Sequence, residues 1–272
     1  MKSSHAMAMN MSEKGIVPDQ VLRMGIRQLL KTRLKNLHHD QVETVTSQNQ
    51  KFIESMDLSP IALLPEKANE QHYEVPAKFF QHVLGSHLKY SCGYWAEETQ
   101  TLNLAETDAL VQTCQHADLH DGQDILELGC GWGSLTLWMA EHYPRSHITA
   151  VSNSSSQGDY IRQQAEQRNL TNLEVITADI NSFKPDAVYD RVVSVEMFEH
   201  LRNYRQMYQR VASWLKPDGK FFKHIFVHRS CVYPFEDKTS TDWMSRHFFS
   251  GGMMPSDDLP HYFQEHLSIE KQ

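Results

Sequence analysis

A glycine-rich segment at 127–133, ELGCGWG, limits most strongly what this chain can fold into. It overlaps the end of a short apolar run at 124–128 that is typical of a buried strand, and a helical pattern follows it. Glycines in such a strand-to-helix turn adopt positive φ and let backbone N–H groups approach a ligand. The segment therefore predicts a ligand-binding turn at the carboxyl end of the first strand of a parallel sheet.

Strand and helix patterns alternate after this turn. Strands are predicted at 147–152, 173–179, 189–196 and 220–227, and helices at 134–142, 155–169 and 204–216. Strands separated by helices of this length form right-handed β-α-β units, and hence a parallel sheet with helices on both faces. The expected fold class is therefore α/β, with ligands at the carboxyl ends of the strands.

The sequence divides into three parts: a tail at 1–16 that we predict to be disordered, a helical extension at 17–100, and the α/β domain at 101–272. A basic amphipathic pattern begins at Asp19, and it suits a helix packed on its own domain better than a membrane-surface helix. The net charge of −8 argues against a general nucleic-acid binder. We see no signal peptide or membrane span, and four scattered cysteines indicate free thiols in a reducing cytoplasm.

The residues around the turn distinguish between two nucleotide-like ligands. A dinucleotide site requires G-x-G-x-x-G/A, and Ser134 stands where the last glycine belongs. The ELGCGWG form is instead typical of S-adenosylmethionine (SAM) sites. At the next strand ends, Asn153 and Gln157 can reach ribose hydroxyls, while Asp179 can accept from the adenine amino group and Ile180 can pack on its ring. The alternative for Asp179 is a turn or helix-capping residue.

Three ionisable residues follow the fourth predicted strand. Methyl transfer from a sulfonium is an in-line displacement, and an amine that arrives as an ammonium must first lose a proton. The carboxylate–imidazole pair Glu199 and His200 can accept that proton, and Glu196 can orient the amine or bind its charge. Both glutamates can also simply cap the following helix. Three ionisable groups at the ligand end of a strand favour the functional interpretation.

Aromatic residues and a strand histidine are further candidates. Tyr90, Tyr94 and Trp95 form a cluster that can attract a sulfonium or an ammonium, although such clusters are also common in plain cores. His224 alternates with apolar residues on the last predicted strand, and this pattern alone is typical of a core residue.

These motifs resemble the superfamily of cyclopropane-fatty-acid synthases and coclaurine N-methyltransferases, and the N-methyltransferase branch more closely. The matching segments are YEVP at 73–76, LKYSCGYW at 88–95, the glycine turn, NS at 153–154, EMFEH at 196–200, WLKPDG at 214–219 and the stretch 243–256. The resemblance implies the class I SAM-methyltransferase fold, with a lid formed by the extension at 17–100.

The resemblance also implies roles for individual residues. The cofactor would be held by Tyr90, Ser91, Glu127, Gly129, Gly131, Gly133, Asn153, Gln157, Asp179 and Ile180. The substrate pocket would include Tyr73, Glu74, Cys92, Tyr94, Trp95 and Phe226. His224 matches an active-site histidine of the superfamily and joins Glu196, Glu199 and His200 as a catalytic candidate. No metal is expected, and the partners would be a small amine or a lipid, with a homodimer compatible with either.

Two alternatives to amine methylation stay open. In cyclopropane synthases an alkene attacks the methyl group, and a bicarbonate held by residues matching Cys92, Glu199 and His224 takes the proton; a lipid substrate would bring the chain to a membrane. Those synthases usually have glycine in place of Glu196, and an extra carboxylate suits a cationic amine better than a hydrocarbon. The segment 267–272 looks like the start of a strand that family members continue and complete. A truncated SAM-binding protein with little catalysis is therefore the second alternative.

Overall fold

The computed structural model describes residues 2–64, 77–238 and 242–272. The N-terminal part is helical, with α1 (Lys2–Glu13), α2 (Asp19–Asn36), α3 (Val42–Asp57), α4 (Ala77–Val83) and α5 (Leu102–His116). Helix α1 stands where the sequence predicts a disordered tail. Its alanine and methionine residues favour a helix, and the Trp243 indole donates a hydrogen bond of 3.1 Å to Glu13 at its end. The domain boundaries at 16 and 100 stay predictions.

A five-stranded parallel sheet forms the centre of the molecule. Its elements are β1 (Asp124–Leu128), α6 (Ser134–His142), β2 (His147–Ser152), α7 (Ser155–Gln167), β3 (Leu173–Thr177), β4 (Tyr189–Val195), α8 (Tyr204–Trp214) and β5 (Leu215–His224). The strand order is β3-β2-β1-β4-β5, and all pairs are parallel. The chain reverses its direction of winding between β1 and β4, which is where open α/β sheets bind ligands. The α/β prediction is confirmed.

Short elements complete the C-terminal part. A 3₁₀ turn spans Phe198–His200, an antiparallel pair is formed by β6 (Tyr233–Pro234) and β7 (Met253–Met254), α9 covers Trp243–His247, and a second 3₁₀ turn covers Leu259–Tyr262. Residues 264–272 form no strand, although the sequence predicts that one starts at 267. The Ile269 N–H donates to the side chain of Gln264, so this stretch closes on itself locally.

The start of β5 also differs from the prediction. The sequence predicts helix to 216 and strand from 220, whereas α8 ends at Trp214 and β5 begins at Leu215. Leu215 pairs with Tyr189 and regular pairing resumes at Lys220, so 216–219 form a bulge. A partner strand that is distant in sequence therefore overrides the local helical pattern.

Both faces of the sheet are buried, as expected for a parallel sheet. Leu126 and Val192 pack toward Met207 of α8, whereas Ile125 packs on the opposite face with Met139 of α6. This packing fixes the strands, and their carboxyl ends are the places where functional side chains emerge. Among the described residues no helix is long and apolar enough to cross a membrane.

Candidate functional site

Two cavities lie at the carboxyl ends of the strands and share part of their lining. The first, of about 70 Å³, is bordered by the ends of β1 and β2 and by the segment after β3. The second, of about 350 Å³, lies between the glycine turn, the segment after β4 and the N-terminal segment 88–91. Gly129, Gly131 and His200 border both cavities. The fold therefore places two adjacent spaces at the switch point of the sheet.

The three glycines of the turn have different surroundings. All have positive φ: +79° for Gly129, +52° for Gly131 and +79° for Gly133. A Cβ on Gly129 would lie 2.8 Å from Met197, and one on Gly133 would lie 2.6 Å from Ile161 of α7. A Cβ on Gly131 would meet open space. Gly131 therefore faces the cavities, whereas Gly133, predicted to bind the cofactor, allows α6 and α7 to pack closely and borders neither cavity.

Polar atoms that border the cavities lack partners within the described residues. Gln157 is 1 % exposed and its Oε1 accepts from Ser152, yet its Nε2 donates to none of the described groups. The same holds for Trp132 Nε1 and Ser134 Oγ at the second cavity. Buried polar atoms without partners are costly. SAM fits this arrangement, because its ribose hydroxyls and carboxylate offer acceptors to both cavities.

Two of the predicted cofactor residues need closer description. Glu127 is buried, accepts a 2.5 Å hydrogen bond from Thr136 and borders the second cavity; burial raises the pKa of this carboxyl to about 7. Asp179 is exposed and borders neither cavity, whereas Asn153 and Ile180 border the first. The Asp179 carboxylate accepts a hydrogen bond of 2.9 Å from the Asn181 N–H. Asp179 therefore acts as a turn residue, which is the alternative to a cofactor contact that the sequence left open.

The N-terminal segment closes the second cavity with a residue that the sequence analysis did not single out. Lys89 is buried, and its Nζ donates to Ser91 Oγ at 2.5 Å. Burial lowers the pKa of Lys89, and the charges of Cys92 and Glu196 oppose that shift. Only the position of Lys89 in the LKYSCGYW motif pointed to it. Tyr90 and Ser91 border the cavity as predicted.

The aromatic pocket differs from the prediction. Tyr94 and Trp95 are 46 % and 57 % exposed and border neither cavity, so they do not form one pocket with Tyr90. Phe226, which was predicted, borders the second cavity together with Phe248 and Phe249, which were not. The two missed phenylalanines lie within the 243–256 motif. Tyr73 and Glu74 lie outside the described residues.

Cys92, Glu196 and His224 come together beside the second cavity; Glu196 borders that cavity, whereas Cys92 and His224 border neither cavity. One donor atom from each lies within 4.8 Å of the other two, and Cys92 Sγ is 4.0 Å from Glu196 Oε1. Glu196 has φ of +51°, an unfavourable backbone conformation for a residue with a side chain. Partial burial lowers the pKa of His224, which favours the neutral form of its imidazole. The cluster thus combines a carboxylate with a neutral proton acceptor.

Glu199 and His200, predicted as a pair, occupy different environments. His200 borders both cavities and stacks on Phe249 at 4.3 Å between ring centroids. Glu199 is fully buried and borders neither cavity; its Oε1 accepts from the Phe226 N–H at 2.8 Å. Burial raises the pKa of Glu199 to about 8. The sequence could not show that this carboxylate faces inward.

The comparisons with known proteins agree with the motifs and the geometry. A family model described as mycolic acid cyclopropane synthetase matches residues 64–268. The chain belongs to this family. (S)-Coclaurine N-methyltransferase of Thalictrum flavum subsp. glaucum is 37% identical over 263 residues, which cover 94% of this chain and 72% of that protein. The crystal structure of a coclaurine N-methyltransferase bound to N-methylheliamine and SAH has a TM-score of 0.94 at 34% identity, covering 98% of this chain and 78% of that one.

The synthases of this family are the more distant relation. Cyclopropane-fatty-acyl-phospholipid synthase of Escherichia coli (strain K12) is 30% identical over 204 residues, covering 72% of this chain and 50% of that protein. The match to the N-methyltransferase is higher in identity and extends further along the chain. This member of the family is therefore a SAM-dependent methyltransferase, nearer to the N-methyltransferases than to the synthases.

Proposed function

We propose that the chain methylates the nitrogen of a small cyclic amine, with SAM as the methyl donor. The observation that supports this is the cluster of Cys92, Glu196 and His224, which offers its donor atoms within 4.8 Å of one another. A carboxylate beside a neutral imidazole can attract an ammonium and take its proton. A hydrocarbon chain would gain nothing from the carboxylate. The likeness to coclaurine N-methyltransferases supports the same acceptor class.

SAM supplies a methyl group that its sulfonium makes electrophilic. The chain's own task is to bring the amine to the second cavity and to free its lone pair. Glu196 attracts the ammonium, and a ring nitrogen of His224 accepts its proton. His200 borders both cavities and can therefore orient the amine nitrogen toward the methyl group. Phe226 and Phe249 exclude water from the same space.

In this proposal Glu199 influences the amine site indirectly, through the residues that surround it. Its hydrogen bond to the Phe226 N–H fixes the backbone just after His224. Burial raises the pKa of Glu199, and the nearby charge of Glu196 adds to that rise. Glu199 therefore shapes the amine site without contact to the amine.

A methylation assay with labelled SAM tests the acceptor. We expect label in an N-methyl product from tetrahydroisoquinoline or another cyclic secondary amine, and none from an unsaturated phospholipid. Label in a cyclopropane would overturn the proposal in favour of synthase chemistry. SAM binding by isothermal titration without turnover of any amine or lipid would instead favour a SAM-binding protein with little catalysis.

Further parts of the proposal concern the rest of the chain. We propose that the extension at 17–100 acts as the lid. A cytoplasmic location and a homodimer stay predictions, which fractionation of cells and size-exclusion chromatography with light scattering would check.

A further inference from the structure

Lys89 is a buried lysine that borders the second cavity. It is 6 % exposed, and its Nζ donates a hydrogen bond of 2.5 Å to Ser91 Oγ. Ser91 borders the same cavity, and Lys89 forms no salt bridge with any of the described residues. A buried ammonium is costly unless a negative group compensates it. The arrangement therefore points to a ligand that brings a negative charge into this cavity.

The backbone just before Lys89 is strained and firmly held. Leu88 has φ of +48°, which is unfavourable for a residue with a branched side chain, and such a conformation persists only where the surroundings hold it. The Leu88 N–H donates to the Gly85 carbonyl at 3.1 Å, and its buried side chain packs in one cluster with Phe80 and Trp132. Because Trp132 belongs to the glycine turn, this packing fixes the segment that carries Lys89 against the cofactor turn.

The glycine turn adds hydrogen-bond donors to the same cavity. Trp132 Nε1 and Ser134 Oγ are buried atoms without a partner among the described residues, and both residues border this cavity. Ser134 is also the first residue of α6, and a helix N-terminus favours a negative charge. Of the described residues that border the two cavities, Lys89 is the only lysine or arginine. One cation and several unsatisfied donors in one cavity suit a carboxylate.

We propose that Lys89 binds the carboxylate in the methionine part of SAM, and that it thereby distinguishes SAM from sulfonium compounds without this carboxylate. The Ser91 hydroxyl accepts from Lys89, so its own proton can be donated to the same carboxylate. Glu127 and Glu196 border the same cavity and repel a carboxylate, so the ammonium of Lys89 is needed to offset them. The proposal concerns SAM binding and does not depend on which acceptor is methylated.

Isothermal titration with SAM and with decarboxylated SAM tests the proposal, because the two ligands differ only in the carboxylate. Lys89→Met removes the charge and keeps a long unbranched side chain. We expect this variant to bind SAM roughly 10- to 150-fold more weakly, which is the range for the loss of a hydrogen bond to a charged group. Decarboxylated SAM should bind at least as tightly as to the wild type, because it is positively charged and has no carboxylate. The preference for SAM should therefore fall by at least the same factor.

Lys78→Met is the matched control. Lys78 is an exposed lysine of α4 that borders neither cavity, so its variant should bind both ligands as the wild type does. Equal weakening of both ligands in Lys89→Met would overturn the proposal, because Lys89 would then support the cavity in general. An unchanged Kd for SAM would overturn it as well. If Lys89→Met does not fold, Lys89→Gln is polar and uncharged and should lose the same preference.

Thermal unfolding separates recognition of the cofactor from a structural role of Lys89. A buried ammonium without a countercharge destabilises the free protein, so Lys89→Met without ligand should unfold at no lower a temperature than the wild type. At one fixed concentration of SAM, the rise in Tm should be smaller in the variant, because stabilisation by a ligand follows its Kd. A rise equal to that of the wild type would refute the proposal. Neither measurement uses an amine, so a failure to methylate amines would leave this result standing.

Discussion

Gly131 and Gly133 allow one substitution, glycine to alanine, to separate cofactor binding from folding. Both have positive φ, which costs a residue with a Cβ about 1–2 kcal/mol. The new methyl group at Gly131 meets nothing within 4 Å, whereas at Gly133 it lies 2.6 Å from Ile161 Cγ1. Overpacking of this kind adds about 1–3 kcal/mol. We therefore expect losses of about 1–2 kcal/mol for Gly131→Ala and about 2–5 kcal/mol for Gly133→Ala.

For SAM binding we expect the reverse order: Gly131→Ala should weaken binding more than Gly133→Ala. Gly131 borders both cavities, so its methyl group occupies space that SAM needs, and the same overpacking range corresponds to a roughly 5- to 150-fold weaker Kd. Gly133 borders neither cavity, and its folded variant should bind SAM nearly as well as the wild type.

Thermal unfolding and isothermal titration with SAM measure the two effects separately. In a chain of this size, 1 kcal/mol corresponds to roughly 2–4 °C in Tm. Gly131→Ala should lose roughly 2–8 °C and Gly133→Ala roughly 4–20 °C. The reasoning fails if Gly131→Ala binds SAM with the wild-type Kd, or if Gly133→Ala keeps its Tm and loses the cofactor.

Three further changes probe the amine site. His200→Ala should lower kcat by about 10²-fold in the labelled-SAM assay, because the amine loses its orientation, while the Kd for SAM stays close to that of the wild type; equal loss of both would make His200 a structural residue. Glu199→Gln should flatten the fall in stability between about pH 4.5 and 8, because the contribution of Glu199 is present below 4.5 and lost as pH rises to its folded pKa of about 8; calorimetry across that window checks this. Glu196→Gly and Glu196→Ala should both raise KM for the amine, but only glycine relieves the positive φ and should unfold at a higher temperature than alanine.

The sequence predicts the sheet and the position of the cofactor turn because both depend on local signals. The bounds of α6 and β2 agree with the prediction residue for residue, since apolar periodicity and breakers such as Pro144 act within a few residues. The start of β5 at Leu215 depends on pairing with Tyr189, which lies in another strand. No local pattern contains that information.

For the site, too, the sequence predicts which residues are present but not where their side chains point. The motif EMFEH gives the identities of Glu196, Glu199 and His200, but it does not show which side chains reach a cavity. A 3₁₀ turn at Phe198–His200 sends Glu199 inward and leaves His200 at both cavities. The burial of Lys89 likewise depends on its place beside the glycine turn and the segment after β4, which are distant in sequence. Such environments become visible only in three dimensions.

Glu196 combines an unfavourable backbone conformation with a carboxylate that the proposed reaction uses. A residue with positive φ persists only where the surroundings hold it, and here the Glu196 N–H donates to the His224 carbonyl at 2.8 Å. This bond ties the backbone of the carboxylate to the strand that carries the imidazole, so it helps to fix the spacing of the two groups. Glycine would adopt this conformation without strain. The chain instead keeps a carboxylate at a position that destabilises its backbone, and a cationic acceptor is the kind of substrate for which that carboxylate contributes binding energy.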